Sequence, residues 1–116
     1  MVAISDIPVI DREAAIARMG GDEELYAEIL DVFFEDVPQQ IELLLNALQS
    51  SDRATGERQA HSLKSAAANI GAEKMRSACA EGERAFHDQN SPIERLHVCC
   101  AAIQETFLSL KSFLKR

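Results

Sequence analysis

One histidine, His61, stands on a face of the amphipathic helix predicted over residues 60–71. At about 3.6 residues per turn, the apolar residues of this stretch fall on one stripe, which consists of Ala60, Leu63, Ala67 and Ile70. The neighbouring face carries residues at helical spacing from the histidine, which are Lys64, Ser65 and Ala68. That face presents an imidazole, an ammonium group one turn away and otherwise small side chains, so a large partner can reach the ring.

This arrangement favours phosphoryl transfer. A neutral imidazole nitrogen is a nucleophile and forms a high-energy phosphoramidate with phosphorus. Lys64 can neutralise phosphate oxygens as a point charge, and Ser65 leaves room for the active site of a partner. The sequence has neither a glycine-rich phosphate loop nor an acidic pair after a strand. We therefore expect a phosphocarrier without autonomous kinase activity.

Composition limits the other possibilities. The 116 residues predict a single domain over 1–116, and 47% of them are apolar, as in a globular protein. The formal net charge of −7 argues against a nucleic-acid binder, which needs a basic surface, and against binding to an anionic membrane.

The cysteines predict a reducing compartment. Cys79, Cys99 and Cys100 are odd in number and lack the spacing of zinc ligands, so we interpret them as reduced thiols in or near the core. The sequence has no apolar run of about 18 residues, and its first residues lack the basic start of a signal peptide. These observations indicate a cytoplasmic protein without membrane insertion.

The periodicity of apolar residues predicts helices only. Residues 1–10 are predicted to form an extended segment that docks on the body. The helices are predicted from the Asp11 cap to Met19, from the Asp22 cap to about Leu48, over about 53–70, over about 72–89, and from a Ser91 cap onward. Short connections between long helices predict an all-α fold, an antiparallel up-down four-helix bundle with a short additional N-terminal helix.

Two details of the second helix matter for the site. Pro38 is expected to kink or split it near Asp36. Its large apolar residues are expected to be mainly core, with some reaching the surface beside His61 as a docking patch; they are Phe33, Phe34, Val37 and Ile41.

Antiparallel geometry also predicts the neighbours of His61. If the third and fourth helices reverse near Gly71, then Glu81 and Glu83 lie level with the histidine. A carboxylate that faces one imidazole nitrogen would fix the tautomer and orient the ring. The two glutamates flank the apolar stripe on opposite sides, and the spacing does not choose between them.

The chain resembles the histidine-containing phosphotransfer (HPt) domains of two-component phosphorelay systems. The resemblance rests on Ala60-His61-Ser62-Leu63-Lys64 followed by Asn69-Ile70-Gly71-Ala72, and it extends over about residues 9–114. Further matching segments are Asp11-Arg12-Glu13-Ala14, Gly20-Gly21-Asp22-Glu23-Glu24-Leu25, and Phe34 with Pro38.

The resemblance implies a role for each site residue. His61 matches the phosphorylated histidine, Lys64 the lysine that contacts phosphate, and Glu83 the residue that bonds to the histidine and orients it. Ser65 departs from the glycine that is frequent beside the site, but it is still small. The implied partners are response-regulator receiver domains and a hybrid sensor kinase. No cofactor is implied for this chain, since Mg²⁺ is expected on the receiver partner only.

The sequence therefore predicts a monomeric phosphorelay intermediate, in which His61 accepts a phosphoryl group from a receiver aspartate and passes it to another receiver. The alternative is a non-phosphorylated adaptor that only docks a signalling partner. An enzyme that uses His61 as a general base would need a closed pocket, whereas this face of the helix is expected to be convex.

A metal site of His61, Glu83 and His87 fits the spacing, but Lys64 would repel a cation there, so none is predicted. His87 and His97 are interpreted as surface residues.

Overall fold

The computed structural model describes residues 7–116. Over that range the chain forms five helices and no strand: α1 (Arg12–Arg18), α2 (Glu23–Gln49), α3 (Arg53–Ile70), α4 (Glu73–His87) and α5 (Ile93–Phe113). The helix α3 packs between α2 and α4, and α5 closes the bundle against α4 and α2. The short α1 contacts α2 and α3. The predicted fold class, an antiparallel up-down four-helix bundle with a short N-terminal helix, is confirmed.

Aspartates begin the first three helices. The side chains of Asp11, Asp22 and Asp52 each accept a hydrogen bond from the backbone N–H three residues later, at 3.1, 2.9 and 3.1 Å. Each such cap is worth about 1 kcal/mol because it satisfies a backbone donor that has no partner within the helix. These caps lie where the sequence predicted the helices to begin.

The start of α4 is stabilised differently, by the chain that precedes α1. Its N-cap residue, Ala72, offers no side-chain acceptor. The carbonyl of Pro8 instead accepts from the backbone N–H of Lys74 at 3.2 Å, and the N–H of Asp11 donates to the carbonyl of Gly71 at 2.7 Å. Val9 and Ile10 and the α1 residue Ile16 are partly buried against the core. Residues 7–11 therefore hold the turn between α3 and α4, whereas residues 1–6 of the predicted docking segment lie outside the described residues.

The apolar stripe predicted on α3 is completely buried. Ala60, Leu63, Ala67 and Ile70 each have no exposed surface. Burying a leucine or isoleucine side chain contributes about 1.5–3 kcal/mol, so this stripe sets the rotation of α3 about its axis. The opposite face of α3 must then point away from the bundle.

Both ends of α3 are tied to other elements. The buried hydroxyl of Tyr26 on α2 donates to the carbonyl of Ile70 at 2.8 Å. At the other end, the guanidinium of Arg53 donates to the carbonyl of Ser91, in the α4–α5 connection, at 2.7 Å. These bonds limit sliding of α3 along its neighbours, which matters for any site that spans α3 and α4.

The helix α2 is not split near Asp36, which was one of the two outcomes expected at Pro38. It is continuous through Pro38, whose ring is exposed, and the buried residues Phe33, Val37 and Ile41 follow one another at helical spacing on the inner side. The loss of one backbone donor at a proline is tolerated here because tertiary packing on both sides of it holds the helix.

The predicted Ser91 cap of the fifth helix is wrong by one residue. The N-cap is Pro92, which makes no side-chain cap bond. Ser91 is buried in the connection, and its hydroxyl accepts from Arg95 at 3.1 Å. The hydroxyl of Ser91 therefore bonds to a side chain of α5 and does not cap the backbone of that helix.

The cysteines are buried and free, as expected. Burial in apolar surroundings raises the pKa of the Cys79 and Cys100 thiols to about 12 and also raises the pKa of Cys99. No helix in residues 7–116 is long and apolar enough to cross a membrane.

A substitution at Gly71 tests the contact between the N-terminal segment and the α3–α4 turn. Gly71 has φ +78°, and a Cβ atom there would lie 2.3 Å from the carbonyl oxygen of Asp11. Gly71→Ala should lower the free energy of unfolding by more than the roughly 1–2 kcal/mol of a left-handed alanine, measured by urea denaturation. Gly20→Ala is the matched control, since Gly20 has φ +73° with no atom within 4 Å. Equal losses in the two variants would contradict the close approach.

Candidate functional site

The imidazole of His61 lies on the outward face of α3, opposite the buried stripe. Its side chain is 58% exposed. The Nδ1 atom is 2.7 Å from the Oε2 atom of Glu83 on α4. The ring is therefore accessible on one edge and held on the other.

Glu83 joins two of the predicted site residues of α3, His61 and Lys64. While one carboxylate oxygen faces His61, the other accepts a hydrogen bond from the ammonium group of Lys64 at 2.5 Å. Glu83 and Lys64 are both partly buried between the helices. A single carboxylate thus orients the imidazole and the ammonium group together.

The choice that the spacing left open is settled by the rotation of α4. Glu81 turns to the other side of that helix, where it accepts from Arg84 at 2.9 Å and lies 3.8 Å from Arg95 of α5. Glu83 faces α3. Because the buried residues Cys79 and Phe86 fix which side of α4 faces the core, the two glutamates cannot exchange places.

Small residues allow α4 to approach its neighbours closely at this level. Gly82 is buried, and a Cβ atom there would lie 3.0 Å from the side chain of Ile103 and 3.8 Å from the Cβ of Ala60. Ala60 immediately precedes His61, and Gly82 immediately precedes Glu83. The pairing of the two site residues therefore depends on a helix contact with little side-chain volume.

The charge on Glu83 determines which nitrogen of the neutral histidine ring carries the proton. The hydrogen bond from Lys64 holds the pKa of Glu83 below its ordinary value of 4.5, against partial burial, which raises it; the hydrogen bond with His61 lowers it further. A carboxylate only accepts hydrogen bonds, so the facing Nδ1 must carry the proton. In the neutral ring the Nε2 atom then keeps its lone pair and is free to act as a nucleophile.

A shallow cleft of about 440 Å³ lies in front of the ring. Its walls come from α3 and α4, and the lining residues are Ala54, Glu57, Arg58, His61, Ser62 and Glu83. Arg58 was not among the predicted site residues, although it is three residues before His61 and exposed. The spacing of three residues between Arg58 and His61, which places both on one side of a helix, was the signal that could have identified Arg58.

The other histidines are placed apart from this arrangement. His87 on α4 lies with its Nδ1 atom 2.8 Å from the carboxylate of Glu57, and His97 is exposed on α5. His87 therefore pairs with Glu57 and not with Glu83. Within residues 7–116, no group of three or more His, Cys, Asp or Glu side chains is arranged to hold a metal ion.

The large apolar residues of α2 belong mainly to the core, as expected, but they do not supply the expected docking patch. Phe33, Val37 and Ile41 are buried and Phe34 is partly buried against the core, so this set does not form a surface patch. The large apolar residues of α2 that are exposed are instead Leu25, Val32 and Leu43, of which Val32 and Leu43 have 52% and 50% of their surface accessible. Ser65, the small residue predicted beside the site, is exposed on α3.

Comparison with known proteins agrees with this architecture. The Hpt domain family matches residues 28–112, which include all of α3 and α4. The chain belongs to the Hpt domain family. Membership supports a phosphotransfer role in two-component signalling, in which Hpt domains interact with receiver domains.

Two solved structures share the fold of this Hpt chain. A histidine-containing phosphotransfer protein from maize, ZmHP2, is 21% identical with a TM-score of 0.77, over 92% of this chain and 80% of that one. The HPT domain of a sensor hybrid histidine kinase from Shewanella is also 21% identical, with a TM-score of 0.71, over 92% of this chain and 94% of that one. At this identity the likeness shows the fold alone. No curated protein matches the sequence.

Removing the ammonium group should change the acidity of Glu83. Lys64→Met keeps the aliphatic stem but deletes the hydrogen bond that most lowers the pKa of Glu83, so this pKa should rise toward 4.5 or above. The pKa is measured from the pH dependence of the ¹³C shift of the Glu83 carboxyl group. Because the folded pKa is depressed, the pair stabilises the native state above the unfolded value, and that stability is lost as the pH falls through the folded pKa. Lys111→Met on α5, which has no contact with Glu83, is the control; equal titrations in both variants would contradict the assignment.

Proposed function

We propose that this chain is a phosphorelay intermediate in which His61 accepts a phosphoryl group from the aspartate of one receiver domain and passes it to the aspartate of another. The observation that carries the proposal is an exposed imidazole whose Nδ1 atom faces a carboxylate 2.7 Å away. This geometry leaves Nε2 as the nucleophile and directs it toward the outside of the bundle. Family membership supplies the reaction class.

The transfer step follows from this protonation state. The lone pair of Nε2 attacks the phosphorus of an aspartyl phosphate, an N–P bond forms, and the P–O bond to the aspartate breaks, which releases the carboxylate. The proton on Nδ1 stays between the ring and Glu83, so no proton has to leave at this stage. Positive charge that develops on the ring is stabilised by the Glu83 carboxylate. The return step to a second receiver reverses these bond changes.

Lys64 is proposed to stabilise the transferred group. Its ammonium group has three donors, of which Glu83 engages one. The remaining donors are available to phosphate oxygens when the phosphoryl group arrives at the neighbouring imidazole. The lysine is one turn from His61 on the same helix, so only rotation about its flexible side chain is needed.

We propose that receivers dock over α2 and α3, where exposed apolar and small residues lie together. Val32 and Leu43 are exposed on α2, and the small side chain of Ser65 leaves space for a partner beside the histidine. Val32 also borders a groove with Asn69 of α3. A receiver that covers this surface would bury apolar area while its active site closes over His61.

The remaining components follow from the same proposal. The donor is a receiver domain of a hybrid sensor kinase, the acceptor is the receiver of a response regulator, and Mg²⁺ belongs to the receivers and not to this chain. We propose that the protein acts as a cytoplasmic monomer.

Substitution of the histidine tests the proposal directly. His61→Gln should accept no phosphoryl group from a phosphorylated receiver, because it lacks the nucleophilic nitrogen, whereas the parent should show a phosphohistidine signal in ³¹P NMR. His97→Gln, an exposed histidine on α5, is the matched control and should behave as the parent does. Equal phosphorylation of His61→Gln and the parent would refute the relay. Receiver binding without any phosphorylation of the parent would favour the adaptor.

The lysine is tested by the rate of the same reaction. Lys64→Ala should slow transfer from the receiver about tenfold, which corresponds to a loss of about 1.4 kcal/mol of transition-state stabilisation. Circular dichroism should show an unchanged bundle, since the ammonium group is outside the core. Lys111→Ala serves as the control for the loss of one positive charge. An unchanged rate in Lys64→Ala would remove this lysine from the mechanism.

A further inference from the structure

The cleft in front of His61 contains a cation that the mechanism above does not use. Arg58 lines this cleft together with His61 and Glu83, whereas Lys64 does not line it. The ammonium group of Lys64 is held by the far oxygen of the Glu83 carboxylate at 2.5 Å. Arg58 therefore supplies the positive charge in the cleft beside the imidazole of His61.

The direction of helical side chains explains this placement. The Cα–Cβ bonds of a helix tilt toward its N-terminus, so a side chain covers the turn that precedes its own Cα. His61 therefore covers the turn that contains Glu57 and Arg58, which agrees with the cleft that it shares with both. Arg58 tilts in the same direction, toward Thr55, to which it is hydrogen-bonded. The spacing of three residues also puts Arg58 beside the ring on the same side of α3. Arginine and lysine thus flank the imidazole from opposite ends.

Arg58 keeps most of its hydrogen-bonding capacity. One terminal nitrogen donates to the hydroxyl of Thr55 at 2.9 Å, and that hydroxyl donates to Asp52 at 2.7 Å. Among residues 7–116 the arginine makes no ion pair with a carboxylate. The nearest acidic side chain in sequence, Glu57, is engaged by His87 at 2.8 Å. The other donors of the guanidinium remain available for an anion.

We propose that Arg58 is a second phosphate-binding residue, which donates hydrogen bonds to the oxygens of the phosphoryl group on Nε2 of His61. This inference rests on the proposed function and deepens it. A planar guanidinium matches two phosphate oxygens at once, which a lysine cannot do. Arg58 holds the phosphoryl group from the cleft, and Lys64 neutralises it from the opposite side.

Phosphoramidate, a small chemical phosphoryl donor, separates this proposal from receiver docking. Nε2 of His61 attacks its phosphorus, the N–P bond of the donor breaks, ammonia leaves, and a phosphohistidine forms. Arg58→Gln should slow this reaction about tenfold, as followed by ³¹P NMR, and Arg58→Lys should recover part of the rate. The ³¹P shift should also titrate at a higher pH in Arg58→Gln, because loss of a bound cation raises the pKa of the phosphoryl group.

Two control variants separate phosphate binding from helix stability. Arg84→Gln removes the same charge from an exposed arginine of α4 that is bonded to Glu81, and it should react like the parent. Thr55→Val removes the hydroxyl that holds Arg58 but keeps the guanidinium, so it should retain most of the rate. A Thr55→Val variant as slow as Arg58→Gln would instead assign the effect to the start of α3.

The outcomes distinguish this inference from the relay itself. Equal rates and equal ³¹P titrations in Arg58→Gln and the parent would overturn the role of Arg58. A parent that phosphoramidate does not phosphorylate at His61 would overturn it as well, because a site that accepts no phosphoryl group needs no second cation. If phosphoramidate phosphorylates His61 but a phosphorylated receiver does not, the relay fails while the phosphate site stands.

Discussion

A single carboxylate, that of Glu83, organises the site by bonding an imidazole and an ammonium group across the interface of α3 and α4. This bridge requires that the two helices lie close together and in a fixed register. Closeness comes from Ala60 and Gly82, which contribute almost no side-chain volume to the contact. Register comes from the ties at the ends of α3, which leave little freedom for sliding. The reactive face is therefore positioned by residues that take no part in the chemistry.

The local charge around His61 is opposite to that of the whole molecule. The chain carries a formal net charge of −7, yet Arg58 and Lys64 flank the imidazole. The nearby carboxylates are each engaged, Glu83 by Lys64 and His61, and Glu57 by His87. Internal pairing thus removes negative charge from the place where a phosphoryl group would arrive. An acidic surface elsewhere disfavours binding to other polyanions without weakening this site.

Much of the architecture follows from local sequence rules, because aspartate caps and apolar periodicity act within a few residues. The stripe of α3 and the starts of the first three helices were predictable for this reason. The continuity of α2 through Pro38 was not, because it depends on packing on both sides of the proline. Whether Glu81 or Glu83 faces His61 depends in the same way on the rotation of α4. The bond of the Ser91 hydroxyl to Arg95 is local, but it replaces the helix cap that the sequence suggested.

The candidate site was predictable in its residues more than in its geometry. Spacing identified His61 and Lys64 as neighbours and left Glu81 and Glu83 as candidates level with the histidine, and the resemblance to the HPt family pointed to Glu83. Spacing alone did not show that the lysine is engaged by the glutamate, nor that His61 and Arg58 line the same cleft. Both follow from side-chain directions that a linear pattern does not record.

The burial of the cysteine thiols limits their reaction with oxidants and alkylating reagents. The thiolate is the reactive form of cysteine, and thiols whose pKa is about 12, as for Cys79 and Cys100, hold almost none of it at neutral pH. Cys79 and Cys100 are also completely or almost completely buried, which further limits access by alkylating or oxidising molecules, whereas Cys99 lines an apolar groove. We therefore expect Cys79 and Cys100 to react slowly with oxidants and thiol reagents, so a fluorophore or spin label attached through a new surface thiol would not require removal of these two residues.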